Sequence, residues 1–198
     1  MNVHTSVEFF DTQFQRQIAQ HDFALNPFEQ AALPHLRGRI LDFGCGMGNL
    51  AVRAARAGHE VQAYDASPAA IAHLQQVARD EALPLHAAVA DLRTTQLHEQ
   101  FDTVICIGLL MFFECPTALR QLAHLQSLLR PGGVAVVNVL TEGTTYMDMF
   151  SPEGHCLFAP GELLAQFDGW RILAHEQRSF PAPGGTVKAF DTVMAQRA

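Results

Sequence analysis

The fold is decided by residues 41–48, which read Leu41-Asp42-Phe43-Gly44-Cys45-Gly46-Met47-Gly48. An apolar run ends there in a glycine-rich turn, and the amphipathic residues 49–57 follow, which predicts a strand, a tight turn and a helix. Glycines in such a turn let the backbone approach a ligand closely and place ligand oxygens near the N–H groups of the helix. The stretch therefore predicts an α/β fold with a ligand site at its first strand-to-helix turn.

The spacing of the glycines separates two classes of cofactor. A dinucleotide site needs G-x-G-x-x-G, which would place the third glycine at position 49, and that residue is Asn49. The spacing here is G-x-G-x-G, with Asp42 before the turn. A carboxylate at this place repels a pyrophosphate but pairs with an ammonium group. S-adenosylmethionine (SAM) carries an ammonium and no phosphate, so the turn favours SAM as cofactor and S-adenosylhomocysteine (SAH) as product.

Two further acids follow predicted strands. Asp65 ends the strand 60–65, where a carboxylate can accept hydrogen bonds from both ribose hydroxyls. Asp91 follows the strand 85–90, where its side chain can accept from the adenine amino group while Leu92 offers a backbone N–H. Each acid could instead cap the helix that follows it. Their order after the glycine turn favours contact with the cofactor.

Apolar runs of strand length alternate with amphipathic stretches, which indicates a mostly parallel sheet with helices on both faces. We expect a single doubly wound, Rossmann-like α/β domain over residues 1–198, with residues 1–37 as an N-terminal helical cap and residues 38–198 as the core. Predicted strands span 39–43, 60–65, 85–90, 101–107, 134–140, 170–174 and 187–196. Predicted helices span 49–57 and 160–167 and begin at 68 and 116, the last with an apolar stripe that runs to Leu129.

Composition excludes several classes of partner. The chain has 198 residues, 48% of them hydrophobic, and a formal net charge of −7. Its 13 bases form no basic stripe, and only Lys188 is a lysine, so we expect no nucleic-acid partner. No apolar run approaches the ~20 residues of a membrane span, and residues 1–5 show no secretory pattern. We expect a cytoplasmic monomer or weak homodimer that acts on a small molecule, with no membrane partner.

The four cysteines give no sign of a metal site. Cys45, Cys106, Cys115 and Cys156 form no C-x-x-C pair, which argues against structural zinc. We expect reduced thiols in a cytosolic protein. Binding of a trivalent metalloid by the last three cysteines is the alternative to ordinary buried thiols.

Taken together, these motifs resemble those of the class I SAM-dependent methyltransferases. The resemblance covers residues 38–140, where the turn and the two acids are followed by Phe101-Asp102-Thr103-Val104-Ile105 and Leu128-Leu129-Arg130-Pro131-Gly132-Gly133. It implies a seven-stranded sheet whose last strand is antiparallel. It also implies an enzyme that moves the sulfonium methyl group of SAM to a small nucleophile by in-line displacement.

Within this class, two segments are similar to the tellurite-resistance methyltransferases: Phe9-Phe10-Asp11-Thr12-Gln13-Phe14 and Met111-Phe112-Phe113. This similarity implies a tellurite- or selenite-type oxyanion as the acceptor. The branch has a Gly-Glu-Leu-His-Arg stretch between its last two strands, where this chain has Glu176-Gln177-Arg178-Ser179-Phe180-Pro181. A small organic thiol, amine or hydroxyl compound is the alternative acceptor, and a SAM-binding module without catalysis is the alternative outside the enzymes.

The acceptor should lie beyond the C-terminal strand ends, where residues 107–113, 141–158 and 176–185 converge. His155 is a candidate base or anion ligand there, and Arg178 a candidate oxyanion ligand, although either could be an ordinary loop residue. Phe10 and Phe14 form either a lid over the cofactor or an aromatic stripe packed into the core. The catalytic candidates are His155 and Arg178. Expected cofactor contacts are Asp42, Gly44, Cys45, Gly46, Gly48, Asp65, Ala66, Asp91, Leu92, Cys106 and Ile107, and expected pocket residues are Phe10, Phe14, Met111, Phe112 and Tyr146.

Overall fold

A computed structural model of the chain describes residues 6–151 and 154–198, and seven strands of these residues form one sheet. The strands are β1 (Ile40–Phe43), β2 (Val61–Asp65), β3 (Leu85–Val89), β4 (Phe101–Ile107), β5 (Leu129–Leu140), β6 (Arg171–Ala182) and β7 (Thr186–Gln196). Their order across the sheet is β3-β2-β1-β4-β5-β7-β6. The pairs from β3 to β5 are parallel, whereas β7 is antiparallel to both β5 and β6. The expected α/β fold with an antiparallel last strand is confirmed.

The helices are α1 (Ser6–Gln20), α2 (Pro27–Ala32), α3 (Asn49–Arg56), α4 (Pro68–Asp80), α5 (Cys115–Ser127) and α6 (Glu162–Ala165). Helix α4 begins where the sequence predicts because the Ser67 hydroxyl accepts the Ala70 N–H at 3.1 Å and Pro68 fills the first turn. Helix α2 begins with a capping box. In it, the Asn26 side chain accepts from the Glu29 N–H, and the Glu29 carboxylate accepts from the Asn26 N–H.

The central strands are buried on both faces, as the apolar run of β4 predicts. Alternate residues of a strand point to opposite faces. Val104 therefore packs into the layer that contains Leu122 of α5, whereas Ile105 packs into the layer that contains Leu50 of α3 and Leu74 of α4. The sheet is thus covered on both sides, and its C-terminal edge is left for the site.

Three predicted elements differ from those of the structure. Leu129 starts β5 rather than ending α5, since it pairs with Phe101 of β4. The helix expected over 160–167 is shortened to α6, with turns on either side. Strand β6 extends to Ala182 rather than ending at position 174, so Arg178 lies in a strand and not in a loop. Most of β6 is exposed, since it is the edge strand of the sheet. Its many polar residues therefore lack the apolar pattern from which a strand is predicted.

Helix α1 lies against the rest of the molecule without a buried residue of its own. Its Ser6 hydroxyl donates to the Met149 carbonyl at 3.1 Å, and Asp11 accepts hydrogen bonds from the start of α4. Helix α1 is thus held by a few side-chain hydrogen bonds and by half-buried aromatic rings. It packs on the surface of the molecule and adds no buried residue to the core. No helix of the described ranges is long and apolar enough to cross a membrane. The opening residues 1–5, which the sequence analysis used, lie outside the described residues.

The expectation of four reduced thiols is wrong for one pair. Cys115, the first residue of α5, forms a disulfide with Cys156, and their Cα atoms lie 4.7 Å apart. The two cysteines are 41 positions apart in the chain, so spacing alone did not reveal the pair. The pairing removes two of the three thiols of the metalloid alternative, and Cys45 and Cys106 are buried free thiols. The cytoplasmic location remains a prediction.

Candidate cofactor and acceptor site

A cavity of about 1210 Å³ lies at the C-terminal edge of the parallel strands. Its wall comes from the turn after β1, the ends of β2, β3 and β4, and helices α1 and α2. Sites for one small molecule typically occupy about 300–1000 Å³. The cavity therefore has room for a cofactor together with a second small molecule, at the edge where open α/β sheets bind ligands.

The turn after β1 needs glycine at two positions for reasons of both backbone and space. Gly46 has φ 52° and Gly48 has φ 70°, conformations that other residues rarely adopt. A Cβ at Gly46 would lie 3.1 Å from the Phe14 ring, and one at Gly48 would lie 2.5 Å from a Leu74 methyl group. The glycines thus let α1 and α4 pack closely against the turn.

Asp65, at the end of β2, holds this turn from the side. Its Oδ2 accepts the Gly46 N–H at 2.8 Å, and its Oδ1 accepts the Ser67 N–H at 2.9 Å. Burial raises the pKa of the Asp65 carboxyl, and these backbone hydrogen bonds oppose the increase. Asp65 also lines the cavity, and each carboxylate oxygen can accept a second hydrogen bond. The capping role and the expected ribose contact are therefore compatible.

Acidic side chains crowd one end of the cavity. Asp42 is only 4% exposed, and burial raises its pKa to about 8, with the nearby Glu29 and Asp65 charges adding to the increase. Burial also raises the pKa of Glu29, which lines the same cavity from α2. Ionised carboxylates in such a buried group raise the free energy of the protein unless a cation binds beside them. The residues present therefore fit the ammonium group of SAM.

Asp91, which follows β3 and also lines the cavity, is exposed and pairs with Arg93 through contacts of 2.9 and 3.0 Å. The Arg93 hydrogen bond lowers the pKa of the Asp91 carboxyl, so Asp91 is ionised. Leu92 lines the cavity beside it. Asp91 and Leu92 both line the cavity, so each could make the expected contact with adenine.

Aromatic rings close the cavity on the side of α1. The Phe10 ring lies 5.0 Å from the Phe112 ring and 6.0 Å from the Phe14 ring, measured between centroids. Phe10, Phe14 and Phe112 all line the cavity, and none of them is buried in the core. Phe10 and Phe112 also pack against the buried cluster of Met111, Leu140 and Met149. The lid interpretation of Phe10 and Phe14 therefore stays a prediction.

Most of the expected cofactor residues meet in this cavity, but six expected site residues do not line it. His155 is exposed, and its ring stacks on Phe150 with 4.6 Å between centroids. Arg178 is exposed on β6 and pairs with Glu176 at 2.6 Å. The structure therefore does not bring the two catalytic candidates together with the cofactor residues. The other four expected residues that do not line the cavity are Gly48, Cys106, Met111 and Tyr146.

Several residues that line the cavity were missed by sequence reasoning. Glu29 lies in a short helix before the glycine turn, and Asn138 and Lys188 lie on β5 and β7. Asn138 and Lys188 are single polar residues without a motif around them, whereas Glu29 belongs to the Asn26–Glu29 capping box, a signal for a helix start and not for a ligand site. The lone lysine was visible in the composition, but its place on the cavity wall was not. The described residues contain no group of three or more side chains that could hold a metal ion.

Comparisons with known proteins find methyltransferases among the proteins similar to this chain. A family model described as a methyltransferase domain matches residues 40–133. Hemagglutinin 1 of Eikenella corrodens is 30% identical over 143 residues, which cover 70% of this chain and 46% of that protein. A ubiquinone biosynthesis O-methyltransferase of Xanthomonas euvesicatoria is 32% identical over 152 residues, which cover 66% of this chain and 61% of that protein. The fold and these comparisons together show that the chain carries a methyltransferase domain of the class I, SAM-dependent kind, whose cofactor is SAM.

Within that class, the chain is similar to TehB of Haemophilus influenzae, a probable SAM-dependent methyltransferase. The two sequences are 23% identical over 140 residues, which cover 70% of this chain and 48% of TehB. The crystal structure of TehB superposes with a TM-score of 0.79 at 19% identity, covering 98% of this chain and 67% of that one. The chain spans about half the length of Hemagglutinin 1 and of TehB in the sequence matches.

Proposed function

We propose that this chain transfers the methyl group of SAM to a small organic nucleophile held between the cofactor turn and β7. One observation carries the proposal: the acid-flanked glycine turn shares a single cavity with an aromatic wall that extends beyond it. When bound, SAM supplies an electrophilic methyl group and leaves as the neutral thioether SAH. The acceptor heteroatom supplies the electron pair of the new bond to carbon, and the proton that it carries is lost to solvent, from a thiol or phenol before the transfer and from an amine after it.

The residues of the chain would position and desolvate the reactants rather than form a covalent bond to them. Asp42 and Glu29 would hold the ammonium group, and Asp65 the ribose hydroxyls. Phe10 and Phe112 would exclude water from the reacting atoms. Alignment and exclusion of water are the main requirements of an in-line displacement from a good leaving group.

The wall around the acceptor space supports an organic molecule. Phe28, Phe112 and Phe190 offer apolar surface there, whereas a small oxyanion needs several converging donors. The two side chains expected to supply such donors, His155 and Arg178, do not line the cavity.

A tellurite- or selenite-type oxyanion is the second candidate acceptor. The similarity to TehB supports it, as does the ammonium group of Lys188 on the cavity wall. An oxyanion also needs no base, because its nucleophilic lone pair is already free.

Release of SAH by purified protein given SAM tests the proposal. The acceptor panel contains representative phenols, thiols and amines together with tellurite and selenite. Turnover with organic acceptors supports the proposal, and turnover with the oxyanions alone favours the second candidate. SAM binding without product from any acceptor would support a binding module instead.

Asp65→Ala provides the inactive variant for this assay, and Asp168→Ala, at an exposed acid outside the cavity, is its matched control. We expect Asp65→Ala to lose SAM binding and Asp168→Ala to keep it. Unchanged SAM affinity in Asp65→Ala would contradict the cofactor site as described.

A further inference from the structure

The main cavity adjoins a second one beneath the β6–β7 hairpin. The second cavity has a volume of about 280 Å³, and its wall includes Phe180 and Pro183. Phe28, Lys188 and Phe190 line both cavities. These three residues therefore form the boundary between the cofactor end of the site and the hairpin.

Lys188 brings a half-buried positive charge to this boundary. Its Nζ lies 4.8 Å from the centroid of the Tyr146 ring. Burial lowers the pKa of the Lys188 ammonium, and no neighbouring carboxylate contributes an opposing effect. Among the described residues, Lys188 forms no ion pair within 4.0 Å. A partly desolvated ammonium without an acidic partner favours an anionic ligand.

Aromatic rings surround the same place. The Phe28 and Phe190 centroids are 4.7 Å apart, and the Phe180 ring lies 5.8 Å from Phe28 and 5.9 Å from Phe190. All three rings are only half-buried, so part of their surface remains open to a ligand. A flat apolar group fits such a cluster because ring edges and faces attract one another.

Asn138 adds an unsatisfied polar atom on the same face of the sheet. It lies opposite Thr192, and residues 188, 190 and 192 of β7 share a face by alternation. The Asn138 Nδ2 donates to the Thr192 hydroxyl at 2.8 Å, whereas its buried Oδ1 has no hydrogen-bond partner among the described residues. A buried carbonyl oxygen without a donor is costly. A ligand O–H or N–H group would satisfy it.

We propose that the acceptor is an aromatic compound with an anionic group, and that Lys188 is the residue that selects for this charge. The inference rests on the proposed methyl transfer and specifies the acceptor class of the same site. The ring packs against Phe28 and Phe190, the anionic group contacts the Lys188 ammonium, and a donor group on the ring faces Asn138.

Calorimetric binding of two probes to the SAH-loaded protein tests this assignment without requiring turnover. The probes are 2-naphthoate and 2-naphthamide, which share a ring system and differ in charge. We expect the unmodified protein to bind the carboxylate about tenfold or more tightly than the amide, the size of one charge-assisted hydrogen bond. Lys188→Met should abolish this preference, and Lys188→Arg should retain it.

Arg171→Met is the matched control, because Arg171 is an exposed cation at the far end of β6 that lines neither cavity. It should keep the preference for the carboxylate. Equal affinity for the two probes, or a preference that survives in Lys188→Met or disappears in Arg171→Met, would overturn the assignment. SAH binding is measured first: its absence overturns the proposed function, whereas SAH binding without discrimination overturns only the acceptor class.

Discussion

Ser67 donates a hydrogen bond of 2.5 Å from its hydroxyl to Oδ1 of Asp11, and this contact joins α1 to the start of α4. The same Ser67 donates its backbone N–H to Asp65 at 2.9 Å. Ser67 therefore links Asp65, which holds the cofactor turn, to helix α1, which lies over the cavity. The hydrogen bond from Ser67 also lowers the pKa of Asp11, which keeps its carboxylate ionised.

Asp11→Ala should weaken cofactor binding without disturbing the fold. The substitution removes the Ser67 contact and the 3.2 Å contact with the Ala69 N–H, so α1 spends less time closed over the cavity. We expect the Kd for SAH to rise about three- to tenfold, as the loss of roughly 1 kcal/mol implies. Calorimetric titration measures this change.

Asp22→Ala is the control, since Asp22 is an exposed acid just beyond the end of α1. It should bind SAH as the unmodified protein does. If Asp11→Ala also binds SAH normally, the Asp11–Ser67 contact does not control closure of α1.

Proton release should accompany cofactor binding because of Asp42. Burial raises the pKa of this carboxyl to about 8, so it is largely protonated at pH 7 in the unliganded protein. An ammonium ligand favours the ionised form, and binding at pH 7 should therefore release up to about one proton. Calorimetry of SAM binding in two buffers with different ionisation enthalpies counts the protons.

Asp42→Asn should abolish this release, and Asp168→Asn should leave it unchanged.

The raised pKa of Asp42 also makes the stability of the unliganded protein depend on pH. The folded state binds more protons than the unfolded state between about pH 4 and pH 8. The contribution of Asp42 to stability is thus complete below that range and is lost as the pH rises through about 8. We expect the free energy of unfolding to fall less steeply between pH 4 and pH 8 in Asp42→Asn than in the unmodified protein. An equally steep fall in both proteins would contradict the raised pKa of Asp42.

The cofactor half of the site could be predicted because its chemistry is local in sequence. Gly44, Gly46 and Asp42 belong to one turn, and Asp65 ends the next strand, so each signal comes with its context. The alternation of apolar runs likewise predicts the strands β1 to β5 as they follow one another along the chain. Burial of the central strands on both faces makes those runs continuous.

The residues of the proposed acceptor half could not be predicted because they meet only through sheet topology. Asn138 and Lys188 come from β5 and β7, which are paired although α6 and β6 separate them in the chain. Arg178 lies opposite Phe190 on the edge strand, yet it pairs with Glu176 outside the cavity. The pairing of β5 with β7 brings Lys188 and Asn138 to the wall of one cavity, and no local sequence pattern encodes this long-range pairing.

The disulfide gives a direct chemical prediction. Under denaturing, non-reducing conditions, two thiols should react, those of Cys45 and Cys106, and four should react after reduction. Reduction should also lower the free energy of unfolding by about 4 kcal/mol, because the bond closes a loop between residues 41 positions apart. Thiol titration and urea unfolding with and without reductant measure the two effects.

The variant with Cys115→Ser and Cys156→Ser together is the control for that experiment. Its stability should not change on addition of reductant. Four reactive thiols in the unreduced, denatured protein would show that the pair is not bonded.

Gly48→Ala should cost more stability than the loss of glycine flexibility alone. Gly48 and Gly184 have nearly the same φ, 70° and 72°. The strained backbone of an alanine should therefore lower the free energy of unfolding by about 1–2 kcal/mol at either position. A Cβ at Gly184 meets nothing within 4 Å, whereas one at Gly48 lies 2.5 Å from a Leu74 methyl group in the core. That overlap adds about 1–3 kcal/mol, because Leu74 is fully buried and must move with α4. Urea unfolding should therefore place Gly48→Ala below Gly184→Ala by this difference, and equal losses would show that α4 yields to the added methyl group.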